Sequence, residues 1–524
     1  MTQTKTRKHP KGLISAALAN MGERFGFYIM MAILTLFISA KFGFSAKVTG
    51  YIYSAFYAAT YLFAVLGGII ADKTKNYKGT IVTGILLMAI GYIMIGYPTP
   101  TPVHNMVLSL LLSCGGLFII ALGNGLFKGN LQAIVGQMYD DPRYSDNRDA
   151  GFQIFYMFIN IGAVFAPFIA VGVRNWWLLH NGFDYNATLP ELSHEFLEKG
   201  TSMLRIDELQ TLANSVSGTV VTDLTAFVNE YLSVFSQGFH YAFMAAIVMM
   251  FVSLIIFIVN KSKFPDPGKT IQTAGGTEMT VEEVKMSAAE VKQRIYALFA
   301  VFGVVIFFWF SFHQNGYSLT YFARDYVNLD IIKLDLGFTT IQGAEIFQTL
   351  NPFFVVSLTP LVMWFFAWRK NKGKEISTPM KIAIGMGIAA LAYVYLTVIS
   401  LNLPSTAAIK TGTNFELLTP WVMVGLYFIL TVAELFISPL GLSFVSKVAP
   451  PHLQGLMQGL WLAATAVGNS ILFIGGILYE SVPLHICWLV FVAAAGIAMV
   501  IMLSMVNWLT RITGEGKYAK VKEA

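Results

Sequence analysis

The chain has 524 residues, of which 56% are hydrophobic and 12% charged, and a mean hydropathy of +0.62. A water-soluble domain carries about a quarter charged residues, so the composition excludes one and specifies an all-α membrane protein. The net charge of +6 is read as basic loops on one side of a membrane rather than as a nucleic-acid surface.

Apolar runs predict spans at residues 13–39, 48–71, 80–97, 106–138, 150–173, 237–260, 295–322, 350–368, 378–400, 419–440, 455–479 and 483–510. Each can cross a hydrocarbon core about 30 Å thick, given about 20 residues at 1.5 Å rise. The basic start "KTRKHPK" leads into a run too long for a signal peptide, so the first helix is expected to be retained. Residues 174–236 form a long outer segment with eight acidic and three basic residues. Its later part has helical apolar spacing and predicts a small extracytoplasmic helical cap, with a flexible insertion as the alternative, and Trp176 and Trp177 as an interfacial anchor. Residues 261–291 form a polar linker between two sets of six spans, 1–260 and 292–524. "RKNKGKE" at 369–375 is a basic short loop, which places both termini in the cytoplasm. Cys114 and Cys487 fall inside spans, so neither a disulfide framework nor a metal site is expected.

Charges inside the spans carry the functional signal. Asn20, Glu23, Arg24, Phe27 and Tyr28 recur at helical steps and share one face. Lys128 lies in "LGNGLFKGNLQAIVG" and Glu434 in "YFILTVAELFISPLGLSFVSKVAP". An ionised group at the bilayer centre costs about 2.5–3.5 kcal/mol on the insertion scale, so these four imply a polar cavity or mutual pairing. Glu23 and Arg24 could form a purely structural clamp. Alternatively, cations in the first half and an acid in the second would match the two ends of a zwitterion across a central cleft.

Tyr156 and Asn160, His313, Gln314 and Asn315, and Gln348 and Asn351 add polar groups at span depth, each of which could instead bond a neighbouring helix. Pro352 and Pro439 are read as kinks. His313 is the only histidine placed deep enough in a span to serve as a proton site. The sequence has no HExxH, Walker lysine motif, GxSxG or zinc spacing, so no enzyme and no metal or other cofactor is expected.

These stretches together resemble the proton-dependent oligopeptide transporter family of the major facilitator superfamily. The family's first-span motif ExxERFxYY is matched by "NMGERFGFY" at Glu23, Arg24, Phe25 and Tyr28. "FKGN" at 127–130, "FYMFINIG" at 155–162, "HQNGYSLTYFA", "QTLNPFF" and "AELFISPLGLSFVSKVAP" are similar to its later signatures, and "GGIIADKTKNYKGT" to the superfamily's second loop. Two departures stand out: Asn20 replaces the first glutamate, and His313 replaces an acidic residue. The resemblance implies a major facilitator fold of 12 helices in two six-helix bundles, without the helix pair that many bacterial relatives insert between them. It implies a monomer in the bacterial cytoplasmic (inner) membrane, importing di- and tripeptides with protons by alternating access. Glu434 would then receive the peptide amino terminus. Arg24 and Lys128 would face the carboxylate and the proton machinery of Glu23 and His313, while Tyr28, Asn160 and Asn351 would hydrogen-bond the peptide backbone. Transport of another small organic anion or nitrate, and a channel or receptor without coupling, remain the competing functions.

Overall fold

The structure, a computed structural model, describes residues 9–139, 143–144, 147–265, 288–450 and 453–513. Most of the expected linker, 266–287, and the tail from 514 lie outside the described residues. Twelve membrane-length apolar segments are present among those described. The first six are α1 (Leu13–Phe42), α2 (Ala46–Thr74), α3 (Tyr77–Gly96), α4 (Met106–Met138), α5 (Arg148–His180) and α8 (Leu224–Val259). The last six are α9 (Ala288–Phe312) with α10 (Ser318–Tyr326), α11 (Leu350–Asn371), α12 (Thr378–Ile399), α14 (Trp421–Val448), α15 (Gln454–Ser470) with α16 (Phe473–Ser481), and α17 (Leu484–Thr513).

Within lipid a spanning segment must satisfy its own backbone, which only a helix or a closed barrel achieves. Polar caps therefore mark where the helices meet water or loops. Ser45, Asn76, Asn105 and Asp223 each accept a backbone N–H at the start of α2, α3, α4 and α8. Gly43 ends α1 with φ +68°, a conformation that favours glycine, and its N–H reaches Ser39 O.

In the first half α1 packs on α5 and α8, and α4 on α2 and α3; in the second α12 packs on α14 and α17, and α9 on α15 and α17. The halves meet where α2 packs on α15 and α16 and where α5 meets α11. We call the membrane face where α1 begins the near end and the opposite face the far end.

Several sequence expectations are corrected. The fifth span continues to His180 and the sixth begins at Leu224, so the segment between them is shorter than 174–236. It carries α6 (Leu189–Lys199) and α7 (Ile206–Ser217), both amphipathic. The seventh and eleventh spans, expected to be continuous, are broken: His313–Gly316 forms a 3-10 turn, and α15 stops before α16 begins. Pro352 stands in the first turn of α11, where its missing N–H would have had no helical partner, and so does not act as a kink. Pro439 does lie inside α14. A short hairpin, β1 (Leu334–Asp335) with β2 (Thr340–Ile341), and the one-turn α13 (Thr406–Lys410) decorate the far end.

Two adjacent glycines test the packing of α2 on α4. A Cβ on Gly67 would overlap the Gly125 carbonyl and stand 2.9 Å from Leu126 Cα, whereas one on Gly68 meets nothing within 4 Å. Gly67→Ala should therefore cost about 1–3 kcal/mol and lower the melting temperature in detergent, and Gly68→Ala should leave it unchanged. Equal melting temperatures for the two variants would show that the helices are not in backbone contact there.

Candidate functional site

On α1, adjacent Glu23 and Arg24 form a bidentate ion pair. Arg24 Nε donates to Glu23 Oε2 at 2.5 Å and Nη2 to Oε1 at 2.6 Å, with both residues buried. Asn124 of α4 donates to Glu23 Oε1 at 3.0 Å, and the Arg24 guanidinium lies 4.7 Å from the Phe27 ring centroid. Both charges are thus partnered within the first half, which is the clamp arrangement left open by the sequence.

Lys128 is different. Its ammonium sits 4.5 Å from the Tyr61 ring centroid on α2 and makes no ion pair among the described residues. A cation over a ring face gains about 0.5–2 kcal/mol but keeps its charge available. Glu434 on α14 likewise has no cationic partner among the described residues. Its Oε2 accepts from Asn351 Nδ2 at 2.7 Å, and the same amide donates to Thr431 Oγ1 at 3.1 Å. The structure thus brings Glu434 and Asn351 together, and Glu23, Arg24 and Lys128 within electrostatic reach of one another. Tyr28, half-buried on α1, lies within reach of both Arg24 and Glu434 and so stands between the two groups. Tyr156 also lies near Glu434. Asn160 is buried and donates to Tyr156 O of its own helix at 3.1 Å.

His313 occupies the break between α9 and α10. Its Nδ1 is 2.5 Å from Asn469 Oδ1 near the end of α15, and its ring lies 4.6 Å from Tyr57, 6.3 Å from Tyr61 and 4.7 Å from Trp309. Tyr61 consequently touches both Lys128 and His313. Next to it Gln314 donates to Phe310 O and Leu472 O, bridging the two broken spans. Gln348 donates to Ala32 O and Thr320 Oγ1 at 3.2 Å, joining the halves.

The far end is closed by ionic and backbone contacts between the halves. Arg174 on α5 pairs with Glu345, both fully buried, and also donates to Gln342 O at 3.1 Å. Asn175 donates to Thr340 O and Gln342 O at 2.8 and 3.0 Å. Glu191 of α6 pairs with Arg324 of α10 at 2.9 Å and with Lys410 of α13 at 3.4 Å. Burial pushes the Glu191 carboxyl up, but Arg324, Lys410 and Arg205 together hold it below the usual carboxylate range. That clasp is present at neutral pH and is lost only as pH falls through the lowered value. Tyr321 and Ser39 hydroxyls meet at 2.5 Å, and Tyr317 donates to Ala46 O at 2.5 Å. A cavity of about 550 Å³ between Ser39, Glu191, His194, Arg324 and Glu480 lies at this end; Lys128 and Glu434 do not line it.

The chain matches the POT family over residues 78–274 and 269–482. The chain belongs to the POT family. It is 26% identical to dipeptide and tripeptide permease B of Shigella dysenteriae serotype 1 (strain Sd197), covering 96% of each chain. It is 25% identical to the uncharacterized transporter YclF of Bacillus subtilis (strain 168), covering 91% of this chain and 89% of that one. Among solved structures, peptide transporter POT in complex with sulfate superposes with a TM-score of 0.69 at 23% identity, covering 96% of each chain. A POT family transporter in complex with 5-aminolevulinic acid superposes equally well, 0.69 at 21% identity, covering 98% of this chain and 99% of that one. The fold is therefore that of the POT transporters, 12 spanning helices of major facilitator type in two six-helix bundles.

Sequence reasoning missed several groups in this POT member. Lys41 and Arg174 are also fully buried cations. Lys41 donates to Thr99 O, Pro100 O and Thr101 Oγ1 at 2.5, 3.2 and 2.9 Å. His240 of α8 is another buried histidine within a spanning helix, bonded to Ile95 O at 2.8 Å near the far end of α3. Asn124, one turn before Lys128, and the i, i+4 pair Tyr57 and Tyr61 were visible as polar or aromatic positions; Asn469 was a lone amide in "AVGNS" with no signal of its own.

The pairing pattern separates structural from available charge. Glu23→Gln strands a buried guanidinium and should cost about 3–5 kcal/mol, whereas Glu434→Gln removes no ion-pair partner and should leave thermal stability in detergent near wild type. The opposite order would make the Glu434 charge the structural one.

Proposed function

We propose that this POT transporter imports di- and tripeptides together with protons across the bacterial cytoplasmic (inner) membrane, as a monomer, by alternating access. The near end is cytoplasmic in this reading, which the basic loop at 369–375 supports. The far-end contacts then hold the outer gate shut, and rocking of the two halves must break them before substrate can enter.

The observation that carries the reading is the pair of opposite charges that make no ion pair among the described residues, Lys128 in the first half and Glu434 in the second. A simple anion such as nitrate would gain from Lys128 but be repelled by Glu434. A zwitterion satisfies both: its amino terminus meets Glu434, steadied by Asn351, and its carboxylate meets Lys128, with Arg24 joining when Glu23 releases it. Tyr28 and Asn160 supply hydrogen bonds to the peptide between these poles. The names of the relatives, dipeptide and tripeptide permeases, agree with this chemistry.

Proton coupling is assigned to Glu23, Arg24, Lys128 and His313. Protonation of Glu23 frees Arg24 for the substrate carboxylate, and protonation of His313 places a second positive charge across Tyr61 from Lys128. No cofactor or metal takes part.

Binding to the purified transporter tests the two poles separately. Blocking the peptide amine by acetylation should abolish binding, and amidating its carboxylate should weaken binding by roughly 10- to 150-fold, the loss of a charge-assisted bond of about 1.5–3 kcal/mol. Equal affinity for free and acetylated dipeptide would overturn the peptide reading in favour of an organic anion. In proteoliposomes, His313→Gln should keep peptide binding and exchange but lose most accumulation driven by an inward proton gradient. If that variant accumulates peptide like wild type with the same pH profile, coupling passes through Glu23 instead.

A further inference from the structure

Among the described residues, the side chain of His313 is hydrogen-bonded by one side-chain amide, whose only hydrogen bond there is to the histidine. Asn469 Oδ1 accepts from His313 Nδ1 at 2.5 Å, while its own Nδ2 is buried without any acceptor among the described residues. The amide is completely buried, and it projects from the last turn of α15, immediately before the break that separates it from α16. His313 stands at the matching break in the seventh span. The second ring nitrogen, Nε2, makes no hydrogen bond among the described residues. The ring that carries it packs on Tyr57 and Tyr61, which belong to the opposite half.

A neutral imidazole carries its proton on one nitrogen, and the hydrogen bond made by that nitrogen decides which. A carbonyl oxygen on Nδ1 accepts a proton and cannot donate one. We propose that Asn469 is a positioning residue that fixes His313 with its proton on Nδ1, so that the transported proton is taken up and released at Nε2, on the side facing the first half. This rests on the assignment of His313 to proton coupling made above. Uptake breaks no other bond: Nε2 gains the proton, Nδ1–H stays on Asn469, and the ring becomes an imidazolium. The charged and titratable groups that face it are Lys128 of α4 and Tyr57 and Tyr61 of α2; α15 contributes none. The added charge therefore repels Lys128 of the first half across Tyr61.

Three variants of the full-length transporter in proteoliposomes test this. Asn469→Leu should lose gradient-driven accumulation to the level of His313→Gln while peptide exchange without a gradient continues. Asn469→Asp supplies a charged acceptor at the same nitrogen; it should retain accumulation with its pH midpoint moved upward by about one unit or more, the effect of an anion beside an imidazolium. In nitrogen-15 spectra of histidine-labelled protein at high pH, the His313 signals, assigned by their loss in His313→Gln, should show protonated Nδ1 and bare Nε2, and Asn469→Leu should mix the two forms. A coupled Asn469→Leu, an unmoved midpoint in Asn469→Asp, or neutral His313 protonated on Nε2 would each overturn the proposal while leaving His313 as the proton site. Coupling that survives His313→Gln sinks both the proposal and the reading beneath it.

Discussion

A charge among lipid tails must find a partner or a polar cavity, because its solvation is not replaced by hydrocarbon. This chain solves the problem in two ways. Lys41 is wrapped in two carbonyls and a hydroxyl, Arg174 in Glu345 and a carbonyl, and Arg24 in Glu23. Lys128 and Glu434 are given an aromatic face and an amide. Each of those supports without neutralising, which leaves two charges of opposite sign that a bound molecule can complete. In this light the Glu23–Arg24 pair is not redundant with Lys128. In the proposed cycle it is a reserve, available when a proton or a carboxylate displaces Glu23 from the guanidinium.

The broken helices follow from the same constraint. Unwound backbone at span depth is tolerated only where it is buried in protein or lines a cavity. The 3-10 turn at His313–Gly316 meets this condition: Tyr317 N–H returns to Gln314 O, and the Asn315 carbonyl accepts from Tyr427 and Thr320. Because α15 breaks opposite it, the amide Gln314 can reach Leu472 O, and Asn469 can reach His313, with neither blocked by a continuous neighbouring helix. α15 and α16 also pack on α2, so a movement of the halves acts directly on the element that holds the histidine.

The spans and the fold were legible because twelve apolar runs of membrane length admit few alternatives. Arg24, Lys128 and Glu434 stood out for the same reason, each being a charge in a run that excludes charge. The ends were harder. Lys41 and Arg174 sat just beyond the expected spans and read as loop cations, yet α1 and α5 extend past them and bury both. The breaks at 313 and 471 contain no proline, and the polar residues beside them, "HQNG" and "GNS", are too few to end an apolar run, since burial by neighbouring helices rather than local chemistry makes the breaks stable. Partners such as Asn124 and Asn469 depend on contacts across more than a hundred residues of chain, and an isolated amide carries no sign of what it faces.

The two departures from the family pattern can be understood together. Asn20 is buried and cannot titrate, so on α1 only Glu23 can exchange a proton with Arg24. An acidic residue in the seventh span loses a negative charge when protonated, whereas His313 gains a positive one; the change in local charge is one unit in the same direction. The electrostatic push on Lys128 is therefore preserved in sign. What differs, under the proposed coupling, is the resting state: a neutral histidine leaves the seventh span itself without an anion for Lys128 before the proton arrives. The halves are then held by the far-end pairs Arg174–Glu345 and Glu191–Arg324 rather than by an ion pair at mid-membrane. Under the proposed assignment of His313 to proton coupling, far-end contacts remote from that site let it be a base rather than an acid without losing the closed far end.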